Sequence, residues 1–119
     1  MKKVYYLSSC STCKRIMDSL DLSGFIKQDI KTEAMTKAQV EEMGKMSGSF
    51  ESLFSRRAMK YRAMGLNEKT LSEDDYKNLI IEEYTFLKRP VFIVEKKIFV
   101  GNTKKTVAAL VQELSDLAV

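Results

Sequence analysis

The stretch that decides the fold is "VYYLSSCSTCKRIM", residues 4–17, near the start of this 119-residue chain. Its first four residues are β-branched, aromatic or aliphatic, which predicts a buried strand over 4–7. The chain's two cysteines, Cys10 and Cys13, follow in a segment of serine and threonine. What comes after the cysteines therefore decides which chemistry they can perform.

A helix is predicted to follow the cysteines directly. Apolar residues recur at helical spacing at Ile16, Met17 and Leu20, and Gly24 is predicted to cap the end of the helix. The run "FIKQDI", residues 25–30, predicts a second strand. The chain thus opens strand, loop, helix, strand, with Cys10 in the loop and Cys13 in the first helical turn.

The middle of the chain carries only helical patterns. Thr36, Ser49 and Ser72 are typical helix-capping residues, and no run between 36 and 87 has strand character. Strand patterns return in "RPVFIV" and "KKIFVG", and "TKKTVAALVQELSDL" closes the chain as an amphipathic helix. This order predicts an α/β fold: a thioredoxin-like mixed sheet with helices packed on it and an inserted all-helical subdomain. We expect one domain over 1–119, with 1–33 and 88–119 forming the core and 34–87 the insertion.

Composition and charge restrict the class of protein. The net charge of +4 comes from interspersed signs, so it does not indicate nucleic-acid binding, although it suits a small anionic substrate. No apolar run approaches the roughly 18 residues of a membrane span, and the N-terminal run is too short for a signal peptide. A disulfide between two cysteines this close in sequence cannot cross-link distant parts of the fold, as the disulfides of small secreted proteins do. We therefore expect the protein in the cytoplasm.

The cysteine pair has the setting of a redox site. The thiolate is the nucleophilic form of cysteine, and a loop entering a helix stabilises it through unpaired N–H groups and the positive end of the helix dipole. Lys14 and Arg15 add positive charge. We predict Cys10 as the nucleophile and Cys13, one turn later, as the resolving thiol.

Two other interpretations of the pair stay open to different degrees. Free cysteines are often small apolar fillers, and Cys-x-x-Cys by itself is a short pattern. A structural zinc site needs four ligands, usually cysteine and histidine, and the chain has no histidine and no third cysteine. We therefore expect no metal. The lack of histidine also means that proton transfer would use Cys13, a carboxylate or water.

Arg89 and Pro90 form a second candidate element. A proline bond that opens a strand can be cis. In thioredoxin-like folds such a proline lies beside the reactive cysteine, so this fold would place Arg89 near Cys10. An ordinary edge-strand proline with a solvated arginine is the alternative. The segment "SRRAMKYR" offers further arginines that could bind an oxyanion through forked hydrogen bonds, although a charged helix face is usually only solvated.

Taken together, the sequence resembles the ArsC-type arsenate reductase family, which also contains the Spx-type transcriptional regulators. The resemblance is carried by "YYLSSCSTCKR", "SRRAMKYRAMGL", "KRPVFIV" and "KIFVGNTKKTVAAL". It implies a thioredoxin-like fold with a helical insertion. It also implies that Cys10 is the nucleophile that attacks arsenate, with glutathione and glutaredoxin, or thioredoxin, as electron donors and no bound cofactor.

The resemblance also implies substrate-binding residues. Lys14 stands where the reductases carry an arginine, and Arg89 with Pro90 matches their arginine and cis-proline. Arg57 is the best match for the arginine of the insertion, with Arg56 close enough to compete. The reductases have a third oxyanion arginine in the final hairpin, where this chain has "FVGNTKK", residues 99–105.

Two functions follow from the resemblance. The first is a reductase-like enzyme that acts on a small oxyanion or thiol substrate. The second is a Spx-type regulator in which a Cys10–Cys13 disulfide switches binding to the RNA polymerase α subunit, because regulators of this type carry Cys-x-x-Cys. The body of the chain favours the enzyme. Direct DNA binding is not expected, since no helix has a basic, base-reading face.

Overall fold

Four strands and five helices form the described part of the chain, residues 1–118, in a computed structural model. The strands are β1 Lys2–Tyr6, β2 Ile26–Asp29, β3 Val91–Val94 and β4 Lys97–Val100. The helices are α1 Ser11–Asp18, α2 Lys37–Ser47, α3 Met59–Ala63, α4 Glu73–Glu82 and α5 Lys104–Leu117. Single 3₁₀ turns lie at Glu51–Leu53, Leu66–Glu68 and Tyr84–Phe86. No helix among these residues is long and apolar enough to cross a bilayer.

The strands form one mixed sheet in the order β2-β1-β3-β4. Strand β1 runs parallel to β2 and antiparallel to β3, and β3 runs antiparallel to β4. Strands β1, β2 and β4 therefore end at the same end of the sheet, where β3 begins. We call this the cysteine end, because the loop after β1 leads to Cys10 there. The predicted α/β class with a mixed sheet is confirmed.

The chain divides into two compact units. The sheet unit consists of Met1–Glu33 and the chain from Arg89 onward, and the helical unit of Ala34–Lys88. In the sheet unit, α1 and α5 pack on one face of the sheet, because Ile16 and Leu110 share a buried apolar cluster with strand residues of β1 and β3. That cluster comprises Val4, Ile16, Leu22, Phe92, Val94 and Leu110.

The helical unit is organised around Phe54, a fully buried ring. This ring stacks on Phe86 at 4.9 Å and meets Tyr76 edge-on at 5.0 Å between ring centroids. An isolated antiparallel bridge joins Phe54 to Leu87, at the end of the unit's chain. Aromatic contacts of this kind stabilise a core beyond the area that they bury.

The helix caps partly agree with the sequence predictions. Thr36 and Ser72 do cap α2 and α4, each with a reciprocal capping box. The Gly24 prediction is wrong: α1 ends at Asp18 with Ser19 as its cap, and the Ser19 hydroxyl donates to the Ile16 carbonyl at 2.6 Å. Gly24 instead adopts a φ of +82° in the turn before β2, a conformation that favours glycine.

The predicted helix through "RRAMKYRAMGL" is also shorter than expected. Only Met59–Ala63 is helical, so Arg56 and Arg57 lie in the turn that precedes α3. The second strand likewise begins at Ile26 rather than at Phe25. Both differences fall at element boundaries, the least reliable part of a sequence-based prediction.

Candidate active site

Cys10 is the N-terminal cap of α1. The loop after β1 turns at Leu7, whose carbonyl accepts the Cys10 N–H at 3.0 Å. Cys10 then has an extended backbone, with φ −93° and ψ 111°, and its sulfur accepts the N–H of Cys13 at 3.5 Å. A cap residue uses its side chain to satisfy an N–H group that the helix leaves without a partner. Here that side chain is a half-buried thiol.

The surroundings of Cys10 favour its thiolate form. Partial burial by itself raises the pKa, but the N–H group and the thiol of Cys13, the N–H group of Thr12 and the charge of Arg89 outweigh it. The pKa of Cys10 is therefore lower than that of an ordinary cysteine. This is the direction that a cysteine nucleophile needs at neutral pH.

Cys13 has the opposite character. Its side chain is fully buried, on the first turn of α1. Burial, together with the hydrogen bond to Cys10 and the negative charge on that sulfur, raises the pKa of Cys13 to about 11. Cys13 is thus a protonated thiol that donates to Cys10. Each thiol thus shifts the pKa of the other, in opposite directions.

Arg89 and Pro90 lie beside this pair, at the start of β3. Tyr5 of β1 is paired with Val91, so the segment before Val91 adjoins the segment after Tyr5. The Arg89–Pro90 bond is cis, Pro90 is buried and Arg89 is half-buried. The charge of Arg89 lowers the pKa of both cysteines, which means that its side chain acts on the site.

Gly101 and Asn102 complete the cysteine end of the sheet unit. The N–H of Gly101 donates to the Pro90 carbonyl at 2.9 Å, and the Asn102 amide donates to the Arg89 carbonyl at 3.1 Å. Sequence reasoning noted these two residues only as the place of a missing arginine. The pairing of β4 with β3, Val100 opposite Val91, is the signal that could have placed them beside Arg89.

The remaining predicted residues have different positions. Lys14 is exposed on α1, one turn after Cys10. Arg57 is exposed and belongs to the helical unit, so its relation to Cys10 stays a prediction. Its competitor Arg56 is engaged within that unit: it pairs with Glu51 at 2.7 Å and donates to the Tyr76 hydroxyl at 3.0 Å. Which of the two arginines meets a substrate stays a prediction.

Within residues 1–118, no group of three or more cysteine, aspartate and glutamate side chains is placed to hold a metal ion. The arrangement itself offers a thiolate form favoured at Cys10, a buried second thiol one helical turn later, and a cationic side chain that acts on both.

Comparison with known proteins identifies the family. The profile of the ArsC family matches residues 5–110, which is most of the chain. The chain belongs to the ArsC family. The match includes both cysteines and the Arg89–Pro90 element, so the features that carried the resemblance lie inside the family region.

Proteins similar to this ArsC family member include a transcriptional regulator and arsenate reductases. The global transcriptional regulator Spx 2 of Bacillus cereus is 24% identical over 87% of this chain and 82% of the relative. A structure described as a possible arsenate reductase from Streptococcus mutans is 29% identical over 87% of this chain and 92% of that chain, with a TM-score of 0.70. An arsenate reductase from Vibrio cholerae, at 17% identity, covers 91% of this chain and 95% of that chain with a TM-score of 0.73, and shows the shared fold.

Proposed function

We propose that this ArsC family member is a thiol oxidoreductase in which Cys10 attacks a disulfide or an oxyanion. The observation that carries the proposal is the contrast between the two thiols: Cys10 has a lowered pKa at the helix cap, where it accepts the backbone N–H of Cys13, and the Cys13 thiol is buried with a raised pKa. A nucleophile and a resolving thiol need this division of roles.

With a disulfide substrate, the Cys10 thiolate attacks one sulfur. A bond forms between Cys10 and that sulfur, and the other half of the substrate leaves as a thiolate. Cys13 then loses its proton and attacks the Cys10 sulfur, which releases the second thiol and leaves a Cys10–Cys13 disulfide. Two electrons pass from the cysteines to the substrate, and a second thiol donor such as glutathione or a redoxin restores the dithiol. The electrons travel through sulfur alone, so no bound cofactor is required.

The second step is helped by the first. The pKa of Cys13 is raised mainly by burial, but also by the hydrogen bond to Cys10 and its negative charge. In a mixed disulfide Cys10 carries no charge, so that part of the effect disappears and Cys13 ionises more readily. Cys13 therefore stays protonated until Cys10 has formed the mixed disulfide, and ionises more readily afterwards.

With arsenate, Cys10 displaces water from the protonated oxyanion and forms a sulfur–arsenic bond. Attack of a second thiol, glutathione or Cys13, on the Cys10 sulfur breaks that bond, transfers two electrons to arsenic and leaves a disulfide on Cys10. Lys14, Arg57 and Arg89 are the cations proposed to bind the oxyanion. The hairpin adds Asn102 in place of a further arginine, which favours the disulfide route over the arsenate route.

Alkylation by iodoacetamide as a function of pH tests the assignment. We expect a rate midpoint below that of an ordinary thiol for Cys10 and almost no labelling of Cys13 in the folded protein. Turnover of arsenate and of glutathione-containing mixed disulfides, with glutaredoxin or thioredoxin as donor, then separates the substrates. Equal reactivity of the two cysteines would refute the division of roles.

A Spx-type regulator is the second candidate, supported by the likeness to Spx 2 and by the contact between the two cysteines. In this proposal the Cys10–Cys13 disulfide alters a surface that binds the RNA polymerase α subunit. Retention of the α subunit by oxidised but not by reduced protein would support it, and redox-independent retention, or none, would contradict it.

A further inference from the structure

The sheet unit carries its charge unevenly along the strands. At the cysteine end, five cations outnumber two carboxylates: Lys14, Lys31, Arg89, Lys104 and Lys105 against Asp29 and Glu33. At the opposite end the two signs are balanced, with Lys2, Lys3, Lys96, Lys97 and the terminal ammonium against Asp18, Asp21, Glu95, Glu113 and Asp116. The field of the unit therefore attracts anions toward the end that holds Cys10.

The topology places the start of α5 close to Cys10. Strands β1 and β4 run in the same direction on either side of β3, and each leads into a helix on the same face of the sheet. Since neighbouring strands lie about 4.8 Å apart, two strand spacings put the starts of α1 and α5 about 10 Å from each other. Arg89 and Pro90 enter β3 between them.

Lys104 and Lys105 occupy the first turn of α5, which contains no acidic residue. The start of a helix is its positive end, so lysines there destabilise the helix that carries them. Both side chains are exposed, and neither ammonium lies within 4.0 Å of a carboxylate in residues 1–118. Lys97, by contrast, is paired with Glu113 at 2.7 Å on the other end of the same unit.

We propose that Lys104 and Lys105 are specificity-determining residues that accelerate the reaction of Cys10 with small disulfides bearing negative charge. The proposal rests on the proposed function, because it takes Cys10 as the nucleophile. It assigns a substrate class: disulfides that carry carboxylates, over neutral or cationic ones. The two lysines attract and orient the substrate. The bonds themselves are formed and broken at the sulfur atoms of the cysteines and the substrate.

The size of the effect follows from Coulomb's law. At about 10 Å in water, one lysine changes the rate about twofold for each unit charge on the substrate. Each reversal to glutamate changes the charge by two units, so the double variant acting on a doubly charged substrate should change the rate by roughly 250-fold without screening. At about 0.1 M salt, where the Debye length is about 10 Å, screening should reduce the change to about tenfold. Screening at about 1 M salt, where the Debye length falls to about 3 Å, should remove the difference.

The proposal is tested by measuring the rate at which Cys10 reacts with each of three disulfide probes. The probes are the dianion 5,5′-dithiobis(2-nitrobenzoate), neutral 2,2′-dithiodipyridine and dicationic cystamine, each reacted with the intact reduced protein. The variants are Lys104→Glu and Lys105→Glu, singly and together. Lys96→Glu is the matched control, since it makes the same charge change in the turn at the opposite end of the sheet.

In the double variant we expect the dianion to react about tenfold more slowly, the neutral probe to change less than twofold, and cystamine to react faster. The control should leave all three rates close to those of the unaltered protein. An equal loss with all three probes would assign the lysines a structural role and overturn the proposal, as would no change with any of them. A slow reaction of the unaltered protein with the neutral probe would instead contradict Cys10 as the nucleophile, so the two failures are distinguishable.

Discussion

Helices α1 and α4, one from each unit, begin in different ways. In the helical unit, α2 and α4 start with oxygen caps, where the hydroxyls of Thr36 and Ser72 accept N–H groups at 3.0 and 3.2 Å. Helix α4 adds Glu73, Asp74 and Asp75 in its first turn. In the sheet unit, α1 starts with a sulfur cap at 3.5 Å, whereas α5 has an oxygen cap, Thr103, at 3.2 Å that is followed by two lysines; neither helix has an acid in its first turn.

This difference shows that the helix start that is best for stability is not the one that is best for a reactive cysteine. A carboxylate in the first turn stabilises a helix, but near Cys10 it would repel the thiolate and raise its pKa. In the sheet unit, the positive end of α1 is left to the Cys10 thiolate, and the packing of Ile16 against the sheet stabilises this helix. Helix α4 has no such anion at its start, and its cap and its acidic first turn follow the stabilising pattern.

The largest expected effect comes from exchanging the sulfur cap for an oxygen cap. Cys10→Ser keeps an acceptor at the helix start but removes the nucleophile, so we expect disulfide reduction to fall by at least about 100-fold. The free energy of unfolding should change by less than about 1 kcal/mol, because serine is a good cap. Turnover and urea unfolding measure the two quantities. A variant that keeps its activity would show that another group is the nucleophile.

Removing the oxygen cap of α4 should lower the stability of the protein and leave the reactivity of Cys10 unchanged. Ser72→Ala deletes the acceptor at the start of α4 and should lower the free energy of unfolding by about 1 kcal/mol. The alkylation rate of Cys10 should stay the same, since Ser72 belongs to the helical unit. Urea unfolding with Ser72→Thr as the control measures the effect. If the alanine variant were as stable as the unaltered protein, the Ser72 cap would not stabilise α4.

Reversing the charge at the start of α5 should stabilise the protein. Lys104→Glu and Lys105→Glu place acids where the helix dipole favours them, worth about 0.3–1 kcal/mol each. Thermal unfolding at low salt should show the gain, and Lys96→Glu, outside the helix, should not. A stabilised double variant that reacts more slowly with anionic disulfides would show directly that function is maintained at the expense of helix stability.

The smallest effect concerns the capping box of α4. The N–H and the hydroxyl of Ser72 both stabilise the ionised carboxyl of Asp75 and hold its pKa below the ordinary value. A lowered pKa in the folded state means that Asp75 contributes to stability above the pKa of the unfolded chain, and that the contribution is lost as the pH falls through the folded value. An NMR titration should find the lowered midpoint, and Ser72→Ala should raise it. Asp75→Asn should remove this part of the acid dependence.

The order of elements and the position of Cys10 were accessible from the sequence because each has a strong local signal. "VYYL" is a strand pattern, and the cysteines precede a helical repeat, so strand, cap and helix follow from short-range preferences. The cap at Ser72 was accessible for the same reason. Cis geometry at Pro90 could be expected because only proline commonly permits it.

What sequence reasoning missed depends on pairing between distant segments. Asn102 reaches the Arg89 carbonyl only because β4 pairs with β3, and the burial that raises the pKa of Cys13 comes from the assembled sheet unit. The early end of α1 was missed because Ser19 satisfies the last turn through its own hydroxyl, a local competitor that outweighs a glycine five residues later.

Because Cys13 is completely buried, its labelling can be used to measure how often the first turn of α1 opens. A thiol with no exposed surface can be labelled by a bulky reagent only when the first turn of α1 separates from the sheet, so the labelling rate in Cys10→Ser reports the population of that open state. Hydrogen exchange measures such openings at backbone amides. Here one natural side chain would give the same information by mass spectrometry, at the position where the resolving thiol must become available.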